Sequence, residues 1–358
     1  MSIQLALFEA PGRLTTRGVA ALVKAHGVAA LPSAERRADE AHYQEIVCRS
    51  ALNQTKGMPF RWTLNPYRGC THACQYCFAR RYQSQMEMGH GDEFSSYIFV
   101  KRNVVEVLER ELSRTSWLRE MVALGTATDP YQPIEGRYRL TRDCLTLLDA
   151  ADTPVGLITK GPLVVRDVDV LARMSARGLA TVYMSVPTVD PAWIALEPGT
   201  APPLQRIRAV RRLLDAGVRA GVLMSPLVPG FTTQPARIEA TLRALADHGV
   251  PLLGGNVLYL EDGTRDHFLK FLQRQAPHLL EKYGRLYGRK YPAASYTAQV
   301  RQVLAGLRAR LGIGTGQVPI TVRQQTDWIA DDFDESVAIR PRDRPSGLRP
   351  AARSAGAC

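Results

Sequence analysis

The sequence predicts an α/β fold built on a parallel sheet, from three observations. Short apolar runs alternate with amphipathic helical segments along most of the chain. Six strand–helix units can be counted, and a parallel sheet needs such crossovers to return the chain to the same edge. Polar residues follow the strands at their carboxyl ends, where the working side chains of such folds lie. Six units are too few to close an eight-stranded barrel.

The elements follow from the local patterns. The first strand is predicted at 60–65, and it leads into a cysteine-rich loop and a helix at 79–88. A short extended piece is predicted at 97–100 and a helix at 104–112. Further strands are predicted at 121–126, 155–159, 180–186, 220–227 and 252–258, with helices between them. In one of these helices Leu204, Ile207, Val210, Leu213 and Leu214 form an apolar stripe, and the arginines 206, 208, 211 and 212 are assigned to a solvated face.

Four segments are predicted along the chain. Residues 1–45 form a partly ordered arm, in which 19–25 and 34–42 have helical patterns. Residues 46–312 form the core, which ends in helices at 266–275, 279–287 and 297–311. Residues 313–335 are a closing segment with a strand pattern at 318–322, and 336–358 are a disordered basic tail, rich in Arg, Pro, Gly and Ser.

Composition places the chain in an ordinary class. It has 358 residues, 45% hydrophobic and 22% charged, enough for one large domain or two ordinary ones. The amino terminus lacks a basic start, and no apolar run approaches the length of a membrane span. We therefore expect a cytoplasmic protein without a membrane partner, whose six cysteines are ligands or free thiols.

The charge balance bears on partners. Lys and Arg number 46 against 34 Asp and Glu, a net charge of +12 that attracts polyanions such as DNA or RNA. Much of the excess is arginine on helix faces and in the tail, so a solvated surface explains it equally well. Charge alone leaves nucleic-acid binding open.

The densest chemical signal is a three-cysteine loop. Cys70, Cys74 and Cys77 have the spacing CxxxCxxC. A [4Fe-4S] cluster normally takes four thiolates, so three would leave one iron open to another ligand. Thiolates suit iron–sulfur clusters or zinc and not magnesium or calcium. Gly69 allows the backbone to fold closely around a cluster, and Tyr76 and the neighbouring Phe78 could shield it.

Two other uses of these cysteines remain open at this point. A zinc site would need a fourth ligand, for which His72, Cys48 or His90 is available. A redox CxxC motif would need only Cys74 and Cys77.

The residues around the loop resemble the radical S-adenosylmethionine (SAM) superfamily. The segments RWTLNPYRGC at 61–70, GTATDPYQP at 125–133 and LITKG at 157–161 are similar to the branch related to spore photoproduct lyase, a DNA repair enzyme. The resemblance runs from about residue 47 to 296. It implies an open, partial (β/α)6 barrel of the TIM type and a [4Fe-4S] cluster whose open iron chelates SAM. One electron then cleaves SAM to a 5'-deoxyadenosyl radical that abstracts hydrogen from a substrate.

The resemblance also implies roles for individual residues. Tyr76 lies near the cofactor, between the second and third ligands. Thr126, Thr128 and Asp129 follow the second strand, where a polar group holds the ammonium of SAM; an ionised Asp only accepts hydrogen bonds and cannot serve the carboxylate. Lys160 is suited to that carboxylate. Ser185 is assigned to the ribose. Residues 224–227, beginning with Met224, and Val257 are assigned to the adenine.

Two departures from the lyase concern the substrate. The lyase has a hydrogen-donating cysteine in the region that reads Thr126-Ala127-Thr128 here, and an aromatic hydroxyl where this chain has Phe78. Cys144 lies too far along the chain to be assumed a replacement. The same hydrogen relay is therefore not predicted.

Three functions are compared. The first is a radical SAM enzyme, reduced by a donor such as flavodoxin or ferredoxin, acting on an unidentified substrate with DNA or RNA as candidates. The second is a zinc-stabilised nucleic-acid-binding protein without catalysis. The third is an iron–sulfur protein that only transfers electrons, and the set of polar residues at the strand ends argues against it.

Overall fold

A computed structural model describes residues 15–27, 41–55, 57–261 and 263–314. Its strands are β1 His42–Ile46, β2 Leu52–Gln54, β3 Trp62–Leu64, β4 Tyr67–Arg68, β5 Tyr97–Lys101, β6 Val122–Leu124, β7 Val155–Thr159, β8 Ala180–Ser185, β9 Ala220–Leu227 and β10 Leu252–Val257. Its α-helices are α1 Thr16–His26, α2 Glu93–Ser96, α3 Val104–Leu112, α4 Glu135–Tyr138, α5 Leu140–Ala150, α6 Val168–Ala176, α7 Trp193–Leu196, α8 Pro203–Asp215, α9 Pro235–Asp247, α10 Thr264–Gln275, α11 Leu280–Leu286 and α12 Ala294–Arg310. Short 3-10 helices lie at Phe78–Met86, Pro162–Asp167 and Pro277–Leu279.

The main sheet has seven strands in the order β10-β9-β8-β7-β6-β3-β2. In this sheet β3, β6, β7, β8, β9 and β10 pair in parallel, and β2 adds to the edge antiparallel to β3. The prediction of six parallel strand–helix units is confirmed, because β3 and β6 to β10 are those strands. Within the described residues no pairing joins β10 to β2.

A second sheet was not predicted. It has three strands in the order β1-β5-β4, with β1 parallel and β4 antiparallel to β5. Strand β1 spans residues 42–46 and so includes residue 45, where the arm is predicted to end. The helical pattern at 19–25 is confirmed by α1, which packs Val19 and Val23 beside Phe99. The predicted strand at 318–322, the basic tail and most of the pattern at 34–42 lie outside the described residues.

The segment after the cysteines differs from the prediction. The helix expected at 79–88 is a 3-10 helix at Phe78–Met86, ended by Glu87 in a left-handed conformation at φ 57°. Arg80 N bonds back to the carbonyl of Cys77 at 3.3 Å, three residues earlier. Arg68 donates to the carbonyl of Tyr82, which draws that group away from an α-helical ladder.

Helix α8 corrects another detail. Ile207, Val210 and Leu213 are fully buried as predicted, but Leu204 is 42% exposed. Arg206, assigned to the solvated face, is completely buried. The reason is its position: it lies four residues before Val210 and seven before Leu213, which is the same face of a helix.

The core has two parts that matter for the site. The main cluster fills the space between the parallel sheet and its outer helices. A second cluster joins Cys74 and Tyr76 to Phe268 of α10 and Tyr283 of α11. The carboxyl-terminal helices therefore cover the cysteine loop. No helix in the described ranges is long and apolar enough to cross a membrane.

Candidate functional site

The three cysteines lie together on the loop between β4 and the following 3-10 helix. Cys70 and Cys74 are buried and Cys77 is partly buried, all as free thiols. The pKa of Cys70 is raised, mainly by burial and further by Asp129, Cys74 and Cys77. The three sulfurs therefore lie close together. Burial also raises the pKa of Cys74 and of Cys77. Metal binding must therefore displace a proton from each thiol.

The loop is folded tightly against its surroundings at two glycines. Gly69 has φ 79°, and a Cβ there would lie 2.5 Å from the carbonyl oxygen of Tyr97. A Cβ on Gly199 would lie 2.1 Å from the carbonyl oxygen of Thr71. Only glycine allows such close approach of two backbones. Gly69 thus lets the loop approach the backbone of β5, and its role in folding around a cluster stays a prediction.

The donor set fits a [4Fe-4S] cluster. Within the described ranges no three His, Cys, Asp or Glu side chains are grouped closely enough to hold a single ion. A cluster does not need such convergence, because its thiolates bind different irons. The residues suggested as a fourth zinc ligand have other neighbours: the His72 ring lies 3.3 Å from Asp129, and the His90 ring packs beside Gly263.

The polar residues at the strand ends converge on the edge that carries the cysteines, as predicted. The backbone N–H of Lys160 donates to Asp129 Oδ2 at 2.6 Å, which links the ends of β6 and β7. Lys160 Nζ donates to Ser185 Oγ, and Ser185 Oγ donates to the carbonyl of Ser225 at 2.9 Å. Ser225 Oγ in turn donates to Asn256 Oδ1. One chain of hydrogen bonds thus crosses five adjacent strands.

Asp129 is anchored by protein groups. Its Oδ1 accepts from Thr159 Oγ1 at 2.6 Å and from the backbone N–H of Tyr131 at 2.9 Å. Its Oδ2 accepts from Lys160 and faces His72 Nδ1. Burial raises the pKa of Asp129, but His72, Thr159 and Lys160 together bring it below its usual value. The carboxylate is therefore ionised, and its lone pairs are engaged in holding the cysteine loop to β7.

The threonines after β6 serve the same junction. Thr128 Oγ1 donates to the carbonyl of Gly69 at 2.5 Å and accepts from Gln132 at 2.9 Å. Thr126 Oγ1 accepts from Asn65 at 3.4 Å. Their assignment to the cofactor's ammonium stays a prediction, and the contacts within the chain place them at the base of the cysteine loop.

Sequence reasoning missed Glu197. Its carboxylate lies between two cations, 2.9 Å from Lys160 Nζ and 2.7 Å from Arg206 Nη2. Burial raises the pKa of Glu197, but Arg206 and Lys160 overcome this and lower it to about 2. The side chains of Glu197 and Arg206 are 1% and 0% exposed. Two cations share one carboxylate, so this buried group carries a net positive charge.

Tyr76 joins the same group. Its hydroxyl donates to Glu197, and Lys160 Nζ lies 5.7 Å from the centre of its ring. Arg206 also donates to the carbonyl of Ser185 at 3.0 Å. The signal for Arg206 was present in its helical phase. Glu197 follows the four-residue helix α7 in a turn that reads Leu-Glu-Pro-Gly-Thr, and no pattern there predicts burial.

The remaining predicted residues lie in the main core. Met224, Leu227 and Val257 are buried on β9 and β10, and their assignment to adenine stays a prediction. Cys144 is also fully buried in the main cluster, on α5.

The family model described as the radical SAM superfamily matches residues 64–245. The chain belongs to the radical SAM superfamily. The resemblance carried by the cysteine loop and its flanking segments is thereby confirmed.

Individual relatives agree with the family assignment. An uncharacterised protein of Mycobacterium tuberculosis is 37% identical over 273 residues, covering 75% of this chain and 80% of that one. An uncharacterised protein of Methanocaldococcus jannaschii is 26% identical over 52% of this chain and 67% of that one. A solved spore photoproduct lyase mutant superposes with a TM-score of 0.60 at 16% identity, over 78% of this chain and 84% of that chain. At that identity the likeness concerns the fold.

Proposed function

We propose that this radical SAM protein binds a [4Fe-4S] cluster through Cys70, Cys74 and Cys77 and cleaves SAM reductively. The observation that carries the proposal is the placement of three thiols on one buried loop, at the edge where the polar strand-end residues meet. The bound cofactors supply the chemistry, in which an electron from the cluster cleaves SAM to a 5'-deoxyadenosyl radical that abstracts hydrogen from the substrate.

The positive group around Glu197 is the proposed site for the carboxylate of SAM. A lysine ammonium has three donors, and in Lys160 two of them face Glu197 and Ser185. One donor remains for an incoming carboxylate, and the excess positive charge favours an anion. Glu197 fixes the position of Lys160, and Tyr76 fixes Glu197.

The rest of the cofactor is assigned along the same strand ends. Thr126, Thr128 and Asp129 lie on the side proposed for the ammonium, next to the cysteine loop. Ser185 lies farther along the sheet and is proposed for the ribose, and Met224 and Val257 are proposed for adenine. This order follows the order of the strands from β6 to β10.

The chain also has to exclude water and hold the substrate. A carbon radical abstracts hydrogen from the nearest C–H bond, so the reacting carbon must be held at contact distance. The aromatic residues Phe268 and Tyr283 pack against the segment that carries Cys74 and Tyr76. These helices are proposed to close the site on one side.

Nucleic acid is the proposed substrate class. The net charge of +12 supports it, and spore photoproduct lyase, a solved structure of similar fold, has been seen complexed with dinucleoside spore photoproduct. The reaction is proposed to differ from that lyase in its hydrogen relay, because Thr126-Ala127-Thr128 holds no cysteine and Phe78 has no hydroxyl. A cytoplasmic flavodoxin or ferredoxin is the proposed electron donor.

The test is anaerobic reconstitution followed by iron, sulfide and zinc analysis and a cleavage assay for 5'-deoxyadenosine. We expect one cluster per chain, with cleavage that depends on a reductant. Deuterated DNA and RNA then test the substrate, since transfer of deuterium into 5'-deoxyadenosine identifies the molecule from which hydrogen is abstracted. Stoichiometric zinc without labile sulfide would instead support the zinc-stabilised binding protein.

A further inference from the structure

Arg80 is a fully buried cation three residues after the last cysteine. Its side chain is among the largest that the described structure buries completely, at 1% exposure. Arginine is rarely buried without a paired charge. Its position beside the cysteine loop therefore requires an explanation.

The guanidinium is held by backbone carbonyls on two segments. Nε and Nη2 donate to the carbonyl of Cys74 at 3.1 and 3.0 Å, and Nη2 also donates to Ala73 at 3.2 Å. Nη1 donates to Gly91 at 2.6 Å and to His90 at 3.3 Å. Arg80 thus fastens the stretch before the second cysteine to the turn at 90–91. The planar fork is required for this, because one ammonium could not reach both segments.

Besides these carbonyls, the guanidinium lies over the ring of Phe94, with Cζ 5.3 Å from the ring centre, so none of its contacts within the described residues is with an anion. In the part of the chain that the structure describes, no carboxylate oxygen forms an ion pair with Arg80. Burial lowers the pKa of Arg80, and Cys77, Cys74 and then Asp92 act against this, which places these groups near the guanidinium. A buried cation that contacts only neutral groups is costly unless an anion lies nearby. The anion that fits is the cysteine loop loaded with its cluster, which is negative and becomes more so on reduction.

We propose that Arg80 is a positioning residue whose buried charge is the counter-charge of the cluster, so that it raises the reduction potential and retains the metal. This inference rests on the proposed function, because it requires a cluster at the three cysteines. Cluster potentials depend on net charge and on burial, and a fixed positive charge in a dry site favours the state with the extra electron.

The experiment uses the full chain with Arg80→Gln, Arg80→Lys and the control Arg81→Gln. Arg81 is the next residue on the same 3-10 helix, but its side chain is 36% exposed and paired with Glu261. Each variant is reconstituted anaerobically, assayed for iron and sulfide, and titrated with dithionite while the reduced cluster is followed by electron paramagnetic resonance.

We expect Arg80→Gln to be harder to reduce by at least tenfold in the equilibrium constant, which is about 59 mV for a one-electron couple. Arg80→Lys keeps the charge, and its reduction potential should shift less than half as far; it should retain less iron, because one ammonium cannot hold both segments. The Arg81→Gln control should match the wild type, because solvent screens its charge.

Two results would overturn the inference. One is an unchanged potential in a fully loaded Arg80→Gln variant, and the other is an equal shift in the Gln and Lys variants, which would assign the effect to geometry alone. If the Gln variant does not fold, the Lys variant tests the inference. A change of tenfold or more in its equilibrium constant of reduction would contradict a charge effect, because lysine keeps the charge. Failure of the proposed function is distinct, because the wild type would then bind no iron with labile sulfide.

Discussion

Replacing Glu197 by Gln would remove the only carboxylate that the structure places between Lys160 and Arg206. The pKa of Glu197 falls from 4.5 to about 2 in the folded protein. At 1.36 kcal/mol per pKa unit, ionisation of this group contributes about 3 kcal/mol to folding. Removing one partner of a buried ion pair typically costs 3–5 kcal/mol, which agrees. We expect the variant to lose about 3 kcal/mol of unfolding free energy at pH 7.

The pH dependence gives this prediction a second readout. Because the folded pKa of Glu197 is depressed, its contribution is complete above pH 4.5 and is lost as the pH falls toward 2. Urea unfolding of the metal-free chains, measured from pH 7 downward, should therefore show the wild type and the variant converging below pH 4.5. The control is Glu281→Gln, whose carboxylate is 81% exposed beside Arg285 and should have little effect. A variant as stable as the wild type at pH 7, or a gap that does not narrow in acid, would refute the reasoning.

Three other changes test the site. Lys160→Met should weaken SAM binding by about tenfold or more, because a charged hydrogen bond is lost; an unchanged Kd by calorimetry would contradict this. Gly199→Ala forces a Cβ to 2.1 Å from a carbonyl of the cysteine loop and should cost about 1–3 kcal/mol in urea unfolding, whereas Gly136→Ala, with open space around it, should not. Cys70→Ala should lose most of the iron and sulfide after reconstitution, whereas Cys48→Ala should keep them, and equal metal contents would refute the assignment.

The sequence by itself determined the elements that are local in the chain. Alternating strand and helix patterns gave the six parallel units, and β7 and β9 lie where they were predicted. The spacing of Cys70, Cys74 and Cys77 predicted the candidate site, because residues on one loop are close in sequence as well as in space. Strand-end residues such as Lys160 were also found, since the carboxyl ends of parallel strands must share an edge.

Tertiary structure alone decided which of these polar groups pair. Glu197 meets Lys160 and Arg206 across β7, α7 and α8, and no local pattern encodes a contact between turns of different units. The small sheet was missed because β4 has only two residues and pairs with a strand about thirty residues later. Arg80 looks in sequence like any helical arginine, and only the folded loop shows its charge enclosed by carbonyls. Pairing over long separations depends on packing, and packing is settled by the whole chain.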